Sequence, residues 1–254
     1  NRQRRVFLWL HLYEPHDPYE PPEPYASRYA DRPYDGEVAW TDELVGRFVD
    51  RLAALGLKER TALVVTSDHG EGLGEHGEML HGFFAYQTTL RVPFLVRGPG
   101  VRAGARLRST VHLVDVVPTV LDLAAVPRRS GLTLSGRSLL GALRDGQSPP
   151  ETATYAETLV PLLQFGWSDL RVVRDGRWKY IQAPRPELYD LVADPGERND
   201  LAAAQGTRAQ AMRTGLARFL ERERKARPGG GGPSQDLIEK LGALGYVGAG
   251  GPAE

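Results

Sequence analysis

The chain has 254 residues, 41% hydrophobic and 25% charged, the balance of an ordinary folded protein with length enough for one large domain and an appendage. Lys plus Arg and Asp plus Glu both number 32, so the overall charge gives no reason to expect a nucleic-acid or acidic-membrane partner. With no cysteine, disulfides, thiolate metal sites and cysteine nucleophiles are excluded together.

In chain order, Arg2, Arg4 and Arg5 lead directly into Val6-Phe7-Leu8-Trp9-Leu10. This run is too short for a signal-peptide core and lacks a small-residue cleavage site, and no stretch nears the ~20 apolar residues of a membrane helix. Val6 to His11 is expected as a strand covered on both faces. Residues 13–35 carry Pro15, Pro18, Pro21, Pro22, Pro24 and Pro33 and are expected as loop. Leu44, Val45, Phe48, Val49, Leu52 and Leu55 recur at helical spacing, which predicts a helix over 37–55 stopped by Gly56. Residues 62–66 and 92–96 read as two further buried strands, the second ended by Gly98-Pro99-Gly100. Asp115 reads as the N-cap of a helix reaching about Ala125, with Pro118 in its first turn.

Strands alternating with helices predict an α/β fold with a mostly parallel sheet flanked by helices over 1–145. Beyond it the pattern changes. Residues 170–174 and 178–181 flank Asp175-Gly176, a hairpin signal, and with 154–156 and 188–189 they predict a small antiparallel sheet. A helix over 207–227, with Met212, Leu216, Phe219 and Leu220 on one side, completes a smaller subdomain over 146–228. Residues 229–254 read as a glycine-rich linker and a short amphipathic tail.

The chemistry concentrates on Ser67-Asp68-His69-Gly70-Glu71, directly after a predicted strand. Residues that follow strand carboxyl ends face the ligand crevice of a parallel α/β sheet. Adjacent carboxylate and imidazole offer oxygen and nitrogen ligands to a divalent ion, and glycines at 70, 72, 74 and 77 let the backbone crowd close. The same residues also fit a polar loop with a surface histidine. Of the six histidines, His11, His16, His69, His76 and His81 fall at or after two predicted strand ends, while His112 reads as structural.

The blocks His11-Leu12-Tyr13-Glu14-Pro15-His16-Asp17-Pro18-Tyr19, residues 34–39, residues 66–77 and residues 78–82 followed by 89–93 resemble, in order, those of the sulfatase family. Residues 115–123 and 136–139, Trp178-Lys179-Tyr180-Ile181 and 187–197 continue the likeness, as does the tail 240–247. The resemblance implies the alkaline-phosphatase-like fold and one divalent cation, calcium by family habit with manganese or zinc as alternatives. Asp68 and His69 match its later ligand pair. His16 matches a histidine that helps protonate the leaving group. His81 stands where many members carry a lysine that binds a sulfate oxygen, a departure from the pattern. Glu71, His76 and Arg91 lie inside matching blocks with structural roles expected, and His11 divides between support of the site and packing.

The family nucleophile is a formylglycine, or Ser or Thr in the phosphatase relatives. Neither its Cys/Ser-x-Pro-x-Arg motif nor an early Asp-Asp pair occurs here. The chain is therefore expected to be the C-terminal portion of a longer enzyme, with nucleophile and remaining ligands in a missing N-terminal part. The implied substrate is a small-molecule or glycan sulfate ester. Phosphoryl or phosphonate ester hydrolysis is the alternative within the superfamily, and a catalytically inactive binding domain the alternative outside it. Location stays open, though many relatives are exported.

Overall fold

A computed structural model describes residues 4–226. They fall into two compact units, one formed by 4–65, 94–107 and 113–148, the other by 66–93, 108–112 and 149–226. Among the described residues no helix is long and apolar enough to cross a membrane.

In the first unit, α1 (Tyr25–Arg28) and α2 (Pro33–Ala54) follow the N-terminal segment. The proline-rich stretch is thus not loop throughout. Clustered prolines leave room for one helical turn at α1, and Pro33 sits at the start of α2, where a missing N–H costs nothing. Gly56 ends α2 as expected: at φ 66° its N–H reaches Ala53 O and that of Leu57 reaches Leu52 O.

The reading of Val6 to His11 as a buried strand is corrected. No strand forms there, and Val6, Phe7 and Trp9 are 80%, 72% and 77% exposed. An apolar run becomes a strand only where neighbouring strands take up its backbone groups. The segment is tethered instead by Arg5, whose guanidinium donates to Ala124 O and Ala125 O at 3.1 Å.

Strands β1 (Leu63–Thr66) and β2 (Phe94–Arg97) pair with each other. Neither is buried on both faces as their apolar runs predict, and Leu95 is 61% exposed. Helix α4 (Val116–Leu123) starts after Asp115, but the Asp115 side chain does not cap it. Its carboxylate accepts the Arg137 N–H at 2.8 Å, while Thr119 Oγ1 donates to Asp115 O at 2.6 Å and accepts from Leu139 N at 3.0 Å. Two sequence blocks, 115–123 and 136–139, are one buried polar clamp. Helix α5 (Leu140–Asp145) follows it.

The second unit is built on the antiparallel sheet β3 (Thr154–Thr158), β4 (Leu170–Asp175), β5 (Trp178–Gln182) and β6 (Glu187–Asp190), in that order. Asp175 pairs with Trp178 across a turn whose first residue, Gly176, has φ 56°. Side chains alternate between faces. Val172, Ile181 and Tyr189 pack with Ala85 and Leu90, at and beside the short helix α3 (Gln87–Leu90). Tyr180 and Leu188 pack on Leu216 of α7 (Gly206–Ala226), flanked by Met212 and Leu220 as the sequence pattern requires. Helix α6 (Val160–Phe165) bridges β3 and β4. The predicted linker and tail over 229–254 lie outside the described residues.

One position breaks the apolar pattern. Lys179 stands one residue before Tyr180 and two before Ile181, and its ammonium meets Glu197 at 2.5 Å with both side chains 1% exposed. Burial pushes the Lys179 ammonium below the usual lysine range, opposed by the Glu197 charge. Removing one member of such a pair strands the other charge. Lys179→Met is therefore expected to lose roughly 3–5 kcal/mol of stability, and Lys179→Met/Glu197→Gln to regain part of it. Urea denaturation midpoints measure both, and a single variant as stable as wild type contradicts the assignment.

Candidate active site

In the second unit Thr66 Oγ1 donates to Pro93 O at 2.9 Å, and Ser67 Oγ donates to His69 O at 2.6 Å. Asp68, its side chain 61% exposed, accepts the His69 N–H at 3.1 Å. His69 Nδ1 lies 2.9 Å from Gly70 O, so Nδ1 carries the proton and a neutral ring keeps its lone pair on Nε2. Nε2 stands 3.8 Å from Asp68 Oδ1. That separation suits two donors of a single ion with bonds of about 2.0–2.6 Å. Among the described residues no group of three or more His, Asp or Glu is arranged to hold a metal.

The His69 ring stacks on His81 with centroids 4.0 Å apart. His81 Nδ1 donates to Glu71 Oε1 at 3.1 Å, and the Glu71 side chain is buried. Four sequence-predicted residues, Asp68, His69, Glu71 and His81, are thereby brought together. Their backbone is packed tightly: Gly70 N–H donates to Thr89 O and Gly72 N–H to Leu80 O, at 2.8 and 2.7 Å. A Cβ at Gly70 would stand 2.1 Å from Thr88 O, and one at Gly72 2.7 Å from Leu80 O. Close approach thus demands glycine at both positions.

The other predicted residues sit differently. His76, at φ 56°, stacks on Tyr86 at 3.7 Å and its Nε2 donates to Gly196 O at 3.1 Å, which makes it a loop anchor. Arg91 is exposed at the end of α3, and His11 is exposed in the N-terminal segment. In the first unit His16 is half-buried, its Nδ1 2.7 Å from Asp17 O and its ring 4.5 Å from that of Tyr13.

The residues that position these groups are ones the sequence reading did not single out. Glu37, buried on α2, accepts the backbone N–H groups of His16 at 2.9 Å and Glu20 at 2.8 Å, fixing the proline-rich loop. Glu78, also buried, accepts those of Phe83 at 2.9 Å and Phe84 at 3.0 Å, closing the loop that carries His81. Glu197 accepts the Gln87 N–H at 2.6 Å, at the start of the helix whose Thr89 carbonyl holds Gly70. The one signal for them was an acid inside each block, with no spacing rule to say what it binds.

Burial raises the Glu78 carboxyl above its usual range, although its two N–H partners oppose the shift. A carboxyl raised in the folded state contributes stability below its unfolded pKa, and that contribution is lost as pH rises through the folded value. Glu78→Gln, which keeps the accepting oxygen, is expected to flatten this loss above the usual glutamate range of ~4.3. Urea midpoints across mild acid to neutral pH test it, and parallel profiles for variant and wild type would count against it.

The family profile described as Sulfatase matches residues 1–126, and that described as N-sulphoglucosamine sulphohydrolase, C-terminal, matches residues 74–226. Mouse (Mus musculus) arylsulfatase K is 33% identical over 178 residues, 66% of this chain and 32% of its own length. A structure solved in complex with its substrate D-glucosamine-2-N,6-O-disulfate aligns with TM-score 0.63 and 30% identity, over 76% of this chain and 40% of that one. The phosphonate monoester hydrolase of Agrobacterium radiobacter aligns with TM-score 0.61 and 29% identity, over 77% and 41%. The chain spans about a third of the length of the curated relatives it matches. Two profiles that overlap and together run through α7 leave one conclusion: the chain belongs to the sulfatase family.

Proposed function

We propose that the complete protein hydrolyses a sulfate monoester, R–O–SO3⁻ plus water giving R–OH and hydrogen sulfate, with a small-molecule or glycan alcohol as R. The observation that carries this is the joining of Asp68 and His69, as adjacent oxygen and nitrogen donors, to a stacked and carboxylate-oriented His81. Asp68 and His69 would hold one divalent cation, calcium by the hardness of the carboxylate, with manganese or zinc as alternatives open to the imidazole. When bound, that ion supplies Lewis-acid polarisation of a sulfate oxygen.

The chain's own side chains do the rest of its share. His81, its Nδ1–H held by Glu71, would as an imidazolium donate its Nε2–H to a sulfate oxygen, in the position where many relatives use lysine. His16 donates the proton to the leaving alcohol oxygen as the ester bond breaks. His76 and Glu78 keep the loops in register. Arg91 and His11 are left at the periphery. The nucleophile, formylglycine or Ser/Thr, and the remaining carboxylates come from a further part of the same polypeptide. The exposed Val6, Phe7 and Trp9 and the half-open β1–β2 pair support that reading. They fit a larger, mostly parallel sheet over 1–145, with 146–228 as the smaller subdomain.

Phosphonate ester hydrolysis is the second reading, favoured by the likeness to the Agrobacterium radiobacter enzyme. The full-length protein is expected to turn over nitrophenyl sulfate faster than nitrophenyl phenylphosphonate. Asp68→Ala is expected to lose bound metal and turnover together by elemental analysis and rate. Preference for the phosphonate favours the second reading, absence of both activities leaves a binding domain, and unchanged metal content counts against Asp68. His16→Ala should slow esters of poor leaving groups by about 10²-fold or more while good ones suffer less. A uniform loss across leaving groups would remove His16 from the proton-donor role.

A further inference from the structure

Helix α7 and the outer strand β3 enclose an open groove of about 1140 Å³ that none of Asp68, His69 or His81 lines. Arg208, Ala211, Gly215, Arg218 and Arg222 line it from α7. Their spacing of three, four, three and four residues keeps them on one helix face, next to the face that Met212, Leu216 and Leu220 bury. The small residues lower the floor between the guanidinium groups. Arg208 and Arg222 are separated by roughly 21 Å of helix axis, longer than any single sugar ring.

An arginine row on a surface helix is by default a solvated face. Three features set this one apart. First, the charges are sorted: Glu221 pairs with Lys225 at 2.7 Å, neither lines the groove, and Asp175 is its one lining carboxylate. Second, among the described residues no carboxylate pairs with Arg208, Arg218 or Arg222. Third, two of the three are ordered in advance. Arg208 lies over Trp178, 4.2 Å from the ring centroid, with Nε donating to Gln205 at 3.2 Å, and Arg222 lies over Phe219 at 5.6 Å. Stacked guanidinium groups give up less freedom on binding, and their planar fork matches the oxygens of a sulfate or carboxylate.

We propose that this groove binds an extended sulfated oligosaccharide, holding anionic groups other than the ester being cleaved. Arginine rather than lysine throughout favours oxyanions met two oxygens at a time, and Tyr155, its ring 4.9 Å from Phe219, offers aromatic surface to sugar rings. The choice of sulfate as the anion rests on the sulfatase reading above. The groove itself does not.

The test is calorimetric binding of a heparin-derived octasaccharide, its desulfated counterpart and single-stranded DNA of matched charge to the full-length protein. The sulfated chain is expected to bind, its desulfated form not, and Arg218→Ala/Arg222→Ala to weaken binding roughly tenfold or more. Both arginines are exposed, so the variant keeps its fold, and its turnover of nitrophenyl sulfate stays at the wild-type rate. Wild-type oligosaccharide affinity in the double variant overturns the proposal. So does DNA binding as tight as the octasaccharide with the same loss, which marks a general polyanion surface. Absence of nitrophenyl sulfate turnover in wild type instead brings down the sulfatase reading, and the binding data judge the groove separately.

Discussion

The second unit depends on one buried contact between opposite charges, Lys179 with Glu197. A fully enclosed ammonium is tolerable only with a carboxylate against it, and that requirement fixes where the loop after Asp194 must lie. The other oxygen of Glu197 takes the first N–H of α3, whose Thr89 carbonyl takes the N–H of Gly70. The loop that carries Asp68 and His69 is therefore hung, through three linked polar contacts, from a charge pair in the antiparallel sheet of the same unit. A change at Lys179 is a change in the footing of the candidate site, although nothing in its chemistry touches an ester.

The same device recurs. Glu37, Glu78 and Asp115 are buried acids that accept backbone N–H groups from loops, and Asp190 and Asp200 do so at the end of the sheet and in the turn before α7. Loops that carry functional side chains cannot satisfy their own donors with a regular ladder, so side-chain acceptors do it. An acidic residue inside a recurrent block is then as good a candidate for a loop clamp as for a ligand. Asp68 differs from these clamps in standing exposed after a strand end, beside the His69 imidazole.

Apolar surface tells the complementary story in the first unit. Val6 through Leu10, Leu95, Val114 and Val117 stay exposed, while the sheet of the second unit is covered on both faces, by the segment around α3 and by α7. Exposed apolar runs of strand composition are unusual on a finished surface. The chain spans about a third of the length of its curated relatives.

The sequence by itself determined what depends on local periodicity and local chemistry. The helix stop at Gly56, the hairpin at Gly176, the four antiparallel strands and the buried stripe of α7 all follow from short-range pattern, and the order of the blocks identified the family. The motif Asp68-His69 stood out as a candidate because a carboxylate and an imidazole stand side by side. Tertiary structure decided the rest. Whether Val6–His11 becomes a strand depends on neighbours that supply hydrogen bonds, which no local pattern contains. That Glu71 serves His81 and Glu197 meets Lys179 depends on distant segments converging, and a carboxylate in sequence looks the same whether it binds a cation, an imidazole or a backbone N–H. Burial and partner distance separate those uses, and both belong to the fold.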